Sequence, residues 1–178
     1  MLVTYNPQGG FTKESLGFRT HWETKFKAYL AQVSRQAQAK NKILVWGGDF
    51  NVNPTRNDWS EKAFDKIWSK VKEGELPAGC REQDVKSYQD MIEAMDGVNA
   101  AEHFGVTQKR TCFQNEWYFD KNYGQRIDHV IVSRSAFRKG VAQTITNFDV
   151  LQQFGGGSNG IFRSLSLVVS TWHLHTGT

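Results

Sequence analysis

The hydrophobic positions of this chain recur with two periods, which together predict a mixture of helices and strands. Apolar residues spaced three or four positions apart predict helices at 18–40, from 58 or 60 to about 71, and at 82–95. Short apolar or alternating runs predict strands at 2–5, 43–46, 126–133, 141–148 and 165–169, and an extended segment at 111–119. The predicted core face of the first helix comprises Phe18, Trp22, Phe26, Tyr29, Leu30 and Val33. Helices mixed with strands indicate one layered α/β domain.

The most apolar short run, residues 43–46, is followed directly by polar residues. We predict a buried strand that turns at the glycine pair 47–48, at the carboxyl end where open α/β sheets bind their ligands. If the backbone stays extended beyond this pair, Asp49 and Asn51 face one site, because side chains two positions apart share a face of a strand. The apolar residues at 50 and 52 then pack on the opposite face.

Two interpretations of Asp49 and Asn51 are open at this point. A carboxylate beside an amide suits a divalent metal ion and a phosphate oxygen. Asp and Asn also commonly hydrogen-bond to the backbone of a turn that follows a strand, with no catalytic role. The local pattern does not choose between them.

Composition limits the classes of protein that need to be considered. The chain has 178 residues, enough for one domain with its own core, and a net charge of +4, which permits but does not require a polyanionic partner. Six Trp and twelve Phe could serve core packing or base stacking. Two cysteines are too few for a disulfide framework, and their spacing matches no zinc motif. No secretory signal or membrane-spanning run is present, and we expect an intracellular protein, nuclear if eukaryotic.

Five short motifs occur in an order and spacing that resemble one superfamily. They are Tyr-Asn-Pro at 5–7, Arg-Thr-His-Trp at 19–22, Gly-Asp-Phe-Asn-Val at 48–52, Ala-Gly-Cys at 78–80 and Arg-Ile-Asp-His at 126–129. Over residues 2–158 the chain resembles the endonuclease/exonuclease/phosphatase superfamily, and within it the exonuclease III-type apurinic/apyrimidinic endonucleases. The Tyr-X-Pro loop followed by Arg-X-X-Trp narrows the resemblance to the repair nucleases.

The resemblance implies a fold, a cofactor and a substrate. It implies a four-layer α/β/β/α sandwich, here a single partial domain over 1–178 with the N-terminal third missing. It implies a phosphodiesterase that uses Mg²⁺ or Mn²⁺ to cut double-stranded DNA 5′ to abasic sites, acting as a monomer without a membrane partner. An abasic nucleotide lacks stacking partners, so it flips out of the helix at low cost.

The resemblance also assigns roles to individual residues. Tyr5 would donate a hydrogen bond to the scissile phosphate. Asp49 would lie beside the attacking water as a general base or as a metal-linked acid, and Asn51 would hold that water and a phosphoryl oxygen. Asp128 would orient a catalytic histidine. For substrate binding, the implied residues are Trp117 or Tyr118 at the border of the abasic-site pocket, and Arg126.

Two departures from the family pattern predict weak activity. The Asn and the metal-binding Glu that precede the Tyr-X-Pro loop in the family are not in this sequence. The family's Ser-Asp-His loop corresponds here to Ser158, Asn159 and Gly160, which lack the acid and the imidazole. His129 cannot replace that imidazole, because it points away from Asp128 if both lie on one strand. Loss of one acid/base group lowers a rate by roughly 10²- to 10⁴-fold.

Three functional hypotheses therefore stay open. The first is a fragment or variant of a magnesium-dependent repair endonuclease, and we favour a fragment of a longer reading frame over a purposeful pseudoenzyme. The second is a catalytically dead nucleic-acid-binding module of the same fold. The third stays within the superfamily but changes the substrate: a phosphoesterase that acts on a lipid or a nucleotide, or a retroelement nuclease. The Arg19/Trp22 helix argues against it.

Overall fold

The computed structural model describes residues 1–10, 12–69, 75–113 and 116–137, together with three short strands nearer the C-terminus. The strands are β1 Leu2–Tyr5, β2 Val45–Asp49, β3 Gly97–Asn99, β4 Cys112–Phe113, β5 Asp128–Ser133, β6 Asp149–Leu151, β7 Phe162–Arg163 and β8 Ser166–Val168. The α-helices are α1 Lys13–Ala39, α2 Glu61–Trp68, α3 Glu82–Ala94, α4 Ala100–His103 and α5 Glu116–Asp120. Two single 3₁₀ turns span Arg56–Asp58 and Arg134–Phe137.

The centre of the molecule is a four-stranded sheet in the order β1-β2-β5-β3. Strand β1 runs parallel to β2, whereas β5 is antiparallel to both β2 and β3. Two smaller antiparallel pairs, β4 with β7 and β6 with β8, lie outside this sheet. This mixed arrangement of sheet and helices confirms the predicted α/β class.

Helices α1 and α3 cover one face of the sheet. Their apolar side chains pack with Trp46, Phe50 and Ile131 in the larger core cluster, in which Trp46 and Phe50 have ring centroids 4.2 Å apart. Thr12 begins α1 by accepting a hydrogen bond from the Ser15 amide, a standard N-cap. Packing of this kind, more than intrinsic propensity, stabilises helices in a small domain.

The opposite face of the sheet carries a second apolar cluster built on β5. Val130 and Val132 pack there against Ala100, Ala101 and Ala136. Because both faces are covered, all six residues of β5 are buried, including the polar Asp128, His129 and Ser133.

The predicted glycine turn after the central strand was wrong. Strand β2 begins at Val45 and runs through both Gly47 and Gly48 to Asp49. The reason is the close approach of β1: a Cβ at Gly48 would lie 2.0 Å from the Thr4 carbonyl oxygen, and Gly48 has φ of +140°. A glycine therefore sits inside the strand because the neighbouring backbone leaves no room for a side chain.

The predicted core face of the first helix was correct only in part. Leu30 is fully buried, but Phe18 is 64% exposed and Tyr29 is also exposed. The helix turns Arg19 and Glu23 inward instead. A hydrophobicity pattern could not reveal this, since the two inward positions carry charge and satisfy it with each other, 2.7 Å apart.

The remaining predictions met mixed outcomes. The third helix, the Ser60 cap of α2 and the strand near 126–133 are confirmed. The extended segment predicted at 111–119 was wrong from Glu116 onward, because Glu116–Asp120 is helical. The predicted strand 141–148 and the loop 158–160 lie outside the described residues. Within the described part of the chain, no helix is both long and apolar enough to cross a bilayer.

Candidate active site

Tyr5, Asp49 and Asp128 form one row across three adjacent strands. Tyr5 is the register partner of Asp49 in the parallel pair, and Asp49 is the partner of Asp128 in the antiparallel pair. Register partners project from the same face of a sheet, so the three side chains leave that face side by side. The structure thus brings together three of the four catalytic residues predicted from the sequence.

The two aspartates occupy the closer kind of antiparallel pair. The Phe50 amide donates to the Ile127 carbonyl at 2.8 Å, which makes 50 and 127 a hydrogen-bonded pair. Such pairs alternate along the ladder, so Asp49 and Asp128 form a non-hydrogen-bonded pair, with Cα atoms roughly 4.5 Å apart. Two carboxylates at this spacing repel each other and favour a cation between or above them.

Exposure differs sharply along the row. Tyr5 is 61% exposed, whereas Asp49 and Asp128 are only 5% and 8% exposed. Tyr5 belongs to the edge strand β1, and its ring stands at the open side of the row. The two acids are therefore recessed, and the Tyr5 side chain is accessible to solvent.

Asn51 reaches the site by a different route from the one predicted. Its φ of +49° takes the backbone out of the strand, so the argument that Asp49 and Asn51 share a strand face does not apply. The Asn51 amide donates to Asp49 Oδ1 at 2.8 Å, and its side-chain Nδ2 donates to the Asn6 carbonyl at 2.8 Å. Asp49 therefore caps the turn, as the second interpretation predicts, and the cap holds Asn51 beside the row. A catalytic role for Asp49 stays a prediction.

Two residues that sequence reasoning did not single out anchor the ends of the row. The Asn6 amide donates to the Asp49 carbonyl at 2.8 Å, and Asn6 Oδ1 accepts a bond from Thr4 Oγ1 at 2.8 Å. At the other end, Thr111 Oγ1 accepts the amides of Ile127 and Asp128 at 3.2 and 3.1 Å. Asn6 stands inside the Tyr-Asn-Pro motif, but Thr111 carries no signal of this role in a single sequence.

Arg126 is placed inside the protein and not at an open surface. Its side chain is almost fully buried, and Nε donates to Asp58 Oδ1 at 2.7 Å. Asp58 Oδ2 accepts two further bonds from the Thr55 amide and hydroxyl. The guanidinium thus joins the turn before α2 to the start of β5. Substrate binding by Arg126, as predicted from the sequence, requires an exposed guanidinium, and the guanidinium of Arg126 is buried.

His129 lies on the sheet face opposite to Asp128, as the alternation of strand side chains predicts. Its Nε2 is 3.0 Å from the Val52 carbonyl, and its Nδ1 is 3.3 Å from Asn99 Nδ2. Burial, together with the charge of Arg126, lowers the pKa of His129 to about 4. The ring is neutral at pH 7, so Nε2 carries the hydrogen and donates it to Val52 while Nδ1 accepts from Asn99. It is a packing residue, wedged against Phe50.

Trp117 and Tyr118 occupy different surroundings on α5. Trp117 is 58% exposed. Tyr118 lines a cavity of about 410 Å³ together with Trp59, Phe113 and Tyr123. Lys66 Nζ lies 3.3 Å from the Tyr118 hydroxyl at the same cavity. Because Gly124 and Gln125 also line it, the cavity abuts the segment that leads into Asp128.

The donors of the row fit part of a magnesium site. Within the described residues no cluster of three or more His, Cys, Asp or Glu is arranged to hold a metal ion. Mg²⁺ nevertheless uses one or two carboxylates and completes its shell with water and substrate phosphate. Asp49 and Asp128 supply two such carboxylates from neighbouring strands. The loop 158–160 lies outside the described residues and adds nothing to this test.

Two carboxylates at the ends of adjacent strands, beside an amide donor, suit a divalent metal ion and a phosphate oxygen. Residues 13–158 match the endonuclease/exonuclease/phosphatase family, and the chain belongs to that family.

Two curated relatives are named DNA-(apurinic or apyrimidinic site) endonuclease. The chain is 24% identical to the protein from Plasmodium berghei (strain Anka) in an alignment of 158 positions that covers 76% of this chain and 28% of that one. It is 24% identical to the protein from Plasmodium falciparum (isolate 3D7) in an alignment of 184 positions that covers 89% of this chain and 29% of that one. The chain therefore spans less than a third of the length of either relative.

Solved structures share the fold. An AP endonuclease from Archaeoglobus fulgidus aligns with a TM-score of 0.58 at 21% identity, over 75% of this chain and 48% of that one. A 3′-5′ exonuclease from Neisseria meningitidis aligns with a TM-score of 0.60 at 15% identity, over 93% and 59% of the two chains. At these identities the likeness shows the architecture, which agrees with the resemblance found in the motifs.

Proposed function

We propose that this chain carries the catalytic part of a magnesium-dependent DNA phosphodiesterase that cuts the backbone 5′ to abasic sites. The observation that carries the proposal is the row of Tyr5, Asp49 and Asp128, drawn from three separate segments into one register. The relatives named as AP endonucleases support this substrate. The partner is double-stranded DNA, the working unit is a monomer, and the location is intracellular, nuclear if the source is eukaryotic.

Each member of the row has a task that its position allows. The exposed hydroxyl of Tyr5 donates a hydrogen bond to a non-bridging oxygen of the scissile phosphate. Asp49 is recessed, and its Oδ1 is engaged by the Asn51 amide, which fixes the carboxylate for water orientation. Mg²⁺ or Mn²⁺ bound by the two carboxylates would neutralise charge that develops on the phosphoryl oxygens.

Asn51 contributes a donor of fixed direction. Asn51 Nδ2 carries two hydrogens. It donates one of them to the Asn6 carbonyl. The second hydrogen is the one available for a phosphoryl oxygen or for the attacking water. A side chain held by one bond and offering another loses little entropy when the substrate binds.

The cavity lined by Tyr118 supplies a place for the extrahelical sugar. Its volume of about 410 Å³ and its aromatic walls suit an apolar group. Lys66 lies beside Tyr118 and can pair with a flanking phosphate. The exposed Trp117 can stack on a neighbouring base, a contact worth roughly 1–3 kcal/mol.

The loop Ser158-Asn159-Gly160 sets the expected rate. It carries no imidazole and no carboxylate, so protonation of the leaving oxygen depends on solvent. We therefore propose slow turnover, on the order of 10²- to 10⁴-fold below that of a complete site. The same observation favours the second candidate, a nucleic-acid-binding module of this fold that binds DNA without cleaving it. A related phosphoesterase acting on another substrate, including a DNA 3′ end, is the third candidate.

One assay separates the first two candidates. Purified protein is incubated with an end-labelled duplex that contains a tetrahydrofuran abasic site, in Mg²⁺ or in EDTA, and compared with the Asp49→Asn and Glu93→Gln variants. We expect slow cleavage 5′ to the site that requires Mg²⁺, is lost in Asp49→Asn and is unchanged in Glu93→Gln, an exposed acid on α3. Cleavage that survives Asp49→Asn contradicts the proposal. Salt-dependent binding without cleavage identifies the binding module.

A further inference from the structure

One arginine touches both peptide groups that flank Asn51. Arg19 Nη1 donates to the Asn51 carbonyl at 2.9 Å, and Nη2 approaches the Phe50 carbonyl at 3.5 Å. These two carbonyls belong to the peptide planes on either side of the Asn51 Cα atom. Fixing both planes fixes the backbone dihedral angles of that residue, which carries φ of +49°.

The conformation held in this way is unfavourable on its own. A non-glycine residue in the left-handed region costs roughly 1–3 kcal/mol and persists only when its surroundings impose it. This cost is smaller for Asn than for most other residues. Nevertheless the turn needs an outside constraint, and the guanidinium of Arg19 is planar and offers its donors in a rigid fork that matches two successive carbonyls.

Two buried carboxylates hold the guanidinium in place. Arg19 is 1% exposed, with Nε 2.7 Å from Glu23 Oε1 and 3.7 Å from Asp84 Oδ1. Both acids are buried as well. A buried charged group of this size is costly unless all its bonds are made, so the cluster has few alternative arrangements.

Asp84 links the same cluster to a second support of the turn. Its Oδ2 accepts the Gly79 amide at 2.9 Å, and the Gly79 carbonyl accepts the Asn53 amide at 2.9 Å. A Cβ at Gly79 would lie 2.7 Å from the Asn51 carbonyl oxygen. The backbone around Asn51 is therefore enclosed by Arg19 on one side and by the Gly79 turn on the other.

We propose that Arg19, fixed by Glu23 and Asp84, is a positioning residue that keeps Asn51 in the left-handed conformation and so directs its side-chain amide toward Asn6 and the row. The effect of Arg19 on catalysis rests on the proposed function, whereas its effect on the conformation of Asn51 does not. Lys cannot replace Arg here, because a single ammonium group cannot engage two peptide carbonyls with the same rigid geometry.

The test compares Arg19→Lys with Arg110→Lys in ¹⁵N-labelled protein without DNA or metal. Arg110 is the matched control, since it is also buried and donates to two backbone carbonyls, those of Thr107 and Trp59, away from the Asn51 turn. Amide hydrogen exchange and the side-chain amide resonance of Asn51 are measured in each. We expect Arg19→Lys to speed exchange of the Asn51 amide roughly tenfold or more, as loss of one charge-assisted bond implies, and to shift its side-chain resonance. Arg110→Lys should leave both unchanged.

A second measurement keeps the test decisive if Arg19→Lys is strongly destabilised. Glycine adopts a positive φ without strain, so Arg19→Lys should lower the urea midpoint less in an Asn51→Gly background than in the native background. An equal loss in both backgrounds overturns the proposal. Unchanged exchange at Asn51 in a folded Arg19→Lys protein overturns it too. Because neither readout needs cleavage, an inactive protein would contradict only the proposed function.

Discussion

Asp49 and Asp128 face each other across the closer kind of antiparallel pair, and both are nearly buried. The sheet thereby forces two carboxylates together at a place where water screens them poorly. A cation that binds there relieves the repulsion and stabilises the fold as well as the site.

Removing one of these charges should change how stability responds to magnesium. Asp128→Asn is expected to raise the melting temperature of the metal-free protein slightly, because opposed like charges cost about 0.2–1 kcal/mol. It should also reduce the increase in melting temperature that Mg²⁺ produces in the native chain. Thermal melts without Mg²⁺ and over a series of tenfold increases in Mg²⁺ concentration measure both effects. An unchanged magnesium response in the variant contradicts the assignment of the pair as cation ligands.

Acid should destabilise the protein through His129. Its pKa is about 4 in the folded chain, against an ordinary value of 6.5. Between these two pKa values His129 is protonated in the unfolded chain but not in the folded chain. The free energy of unfolding is therefore unaffected above pH 6.5 and falls as the pH drops toward 4. The loss should approach about 3 kcal/mol near pH 4, from 1.36 kcal/mol for each pKa unit.

Urea unfolding at pH 7, 6, 5 and 4.5 measures the effect of His129. A His129→Gln variant should show a shallower fall in stability over this range. His21→Gln, which removes an exposed histidine of α1, should retain the native slope. A steep slope that persists in His129→Gln would place the acid sensitivity elsewhere.

Two adjacent glycines of β2 should respond differently to alanine. Gly48→Ala places a Cβ 2.0 Å from the Thr4 carbonyl oxygen, at a φ of +140°. The strands must separate, and we expect a loss of at least about 3 kcal/mol, in the range of severe overpacking. Gly47→Ala meets its nearest atoms at 3.5 Å, an ordinary contact, and should change stability little. Equal urea midpoints for the two variants would contradict this account of the β1–β2 approach.

The buried Arg126 should act on stability and not on DNA affinity. Arg126→Met leaves Asp58 buried without its cation, and breaking such a pair costs roughly 3–5 kcal/mol. The double variant Arg126→Met/Asp58→Leu should recover much of that loss. The salt dependence of DNA binding should be the same as in the native chain, since no phosphate contact has been removed. A weaker dependence of DNA affinity on salt concentration in Arg126→Met would indicate that Arg126 does contact the substrate.

Trp117 should act in the opposite way. Although Trp117 is 58% exposed, its ring lies edge-on to Tyr118 and Tyr123, so Trp117→Ala should lower the free energy of unfolding by only about 1 kcal/mol. Binding to single-stranded or abasic DNA should weaken by roughly 1–3 kcal/mol if the ring stacks on a base. Phe18→Ala is the matched control, with a comparably exposed aromatic ring on α1, and should leave DNA binding unchanged.

Sequence patterns predicted the elements better than they predicted the supports of the site. Alternation located β5 and correctly turned His129 away from Asp128. Helical periodicity found α3 within a residue or two at either end. The acids of the row were found because they belong to motifs shared by a family. Their common register was not predictable, since it depends on which strands pair.

The missed features share one physical cause, which is that their partners are distant in sequence. Arg19 is buried against Asp84 and the carbonyls near Asn51; its pairing with Glu23 one turn along α1 does not by itself show that the two charges point inward. Gly48 is required by the Thr4 backbone. Thr111 is defined by the amides that it accepts at the start of β5. Each of these residues has an ordinary local context and a specific long-range one.

The outer position of β1 in the sheet that the described residues form has a consequence for the proposed activity. Strand β1 has four residues and pairs with β2 on one side, and edge segments of this length open locally at a free energy well below that of global unfolding. Such an opening removes Tyr5 from the row while Asp49 and Asp128 stay paired in the interior. On heating, phosphate engagement should therefore fail several degrees before the core melts, so that thermal inactivation and thermal denaturation are separate events.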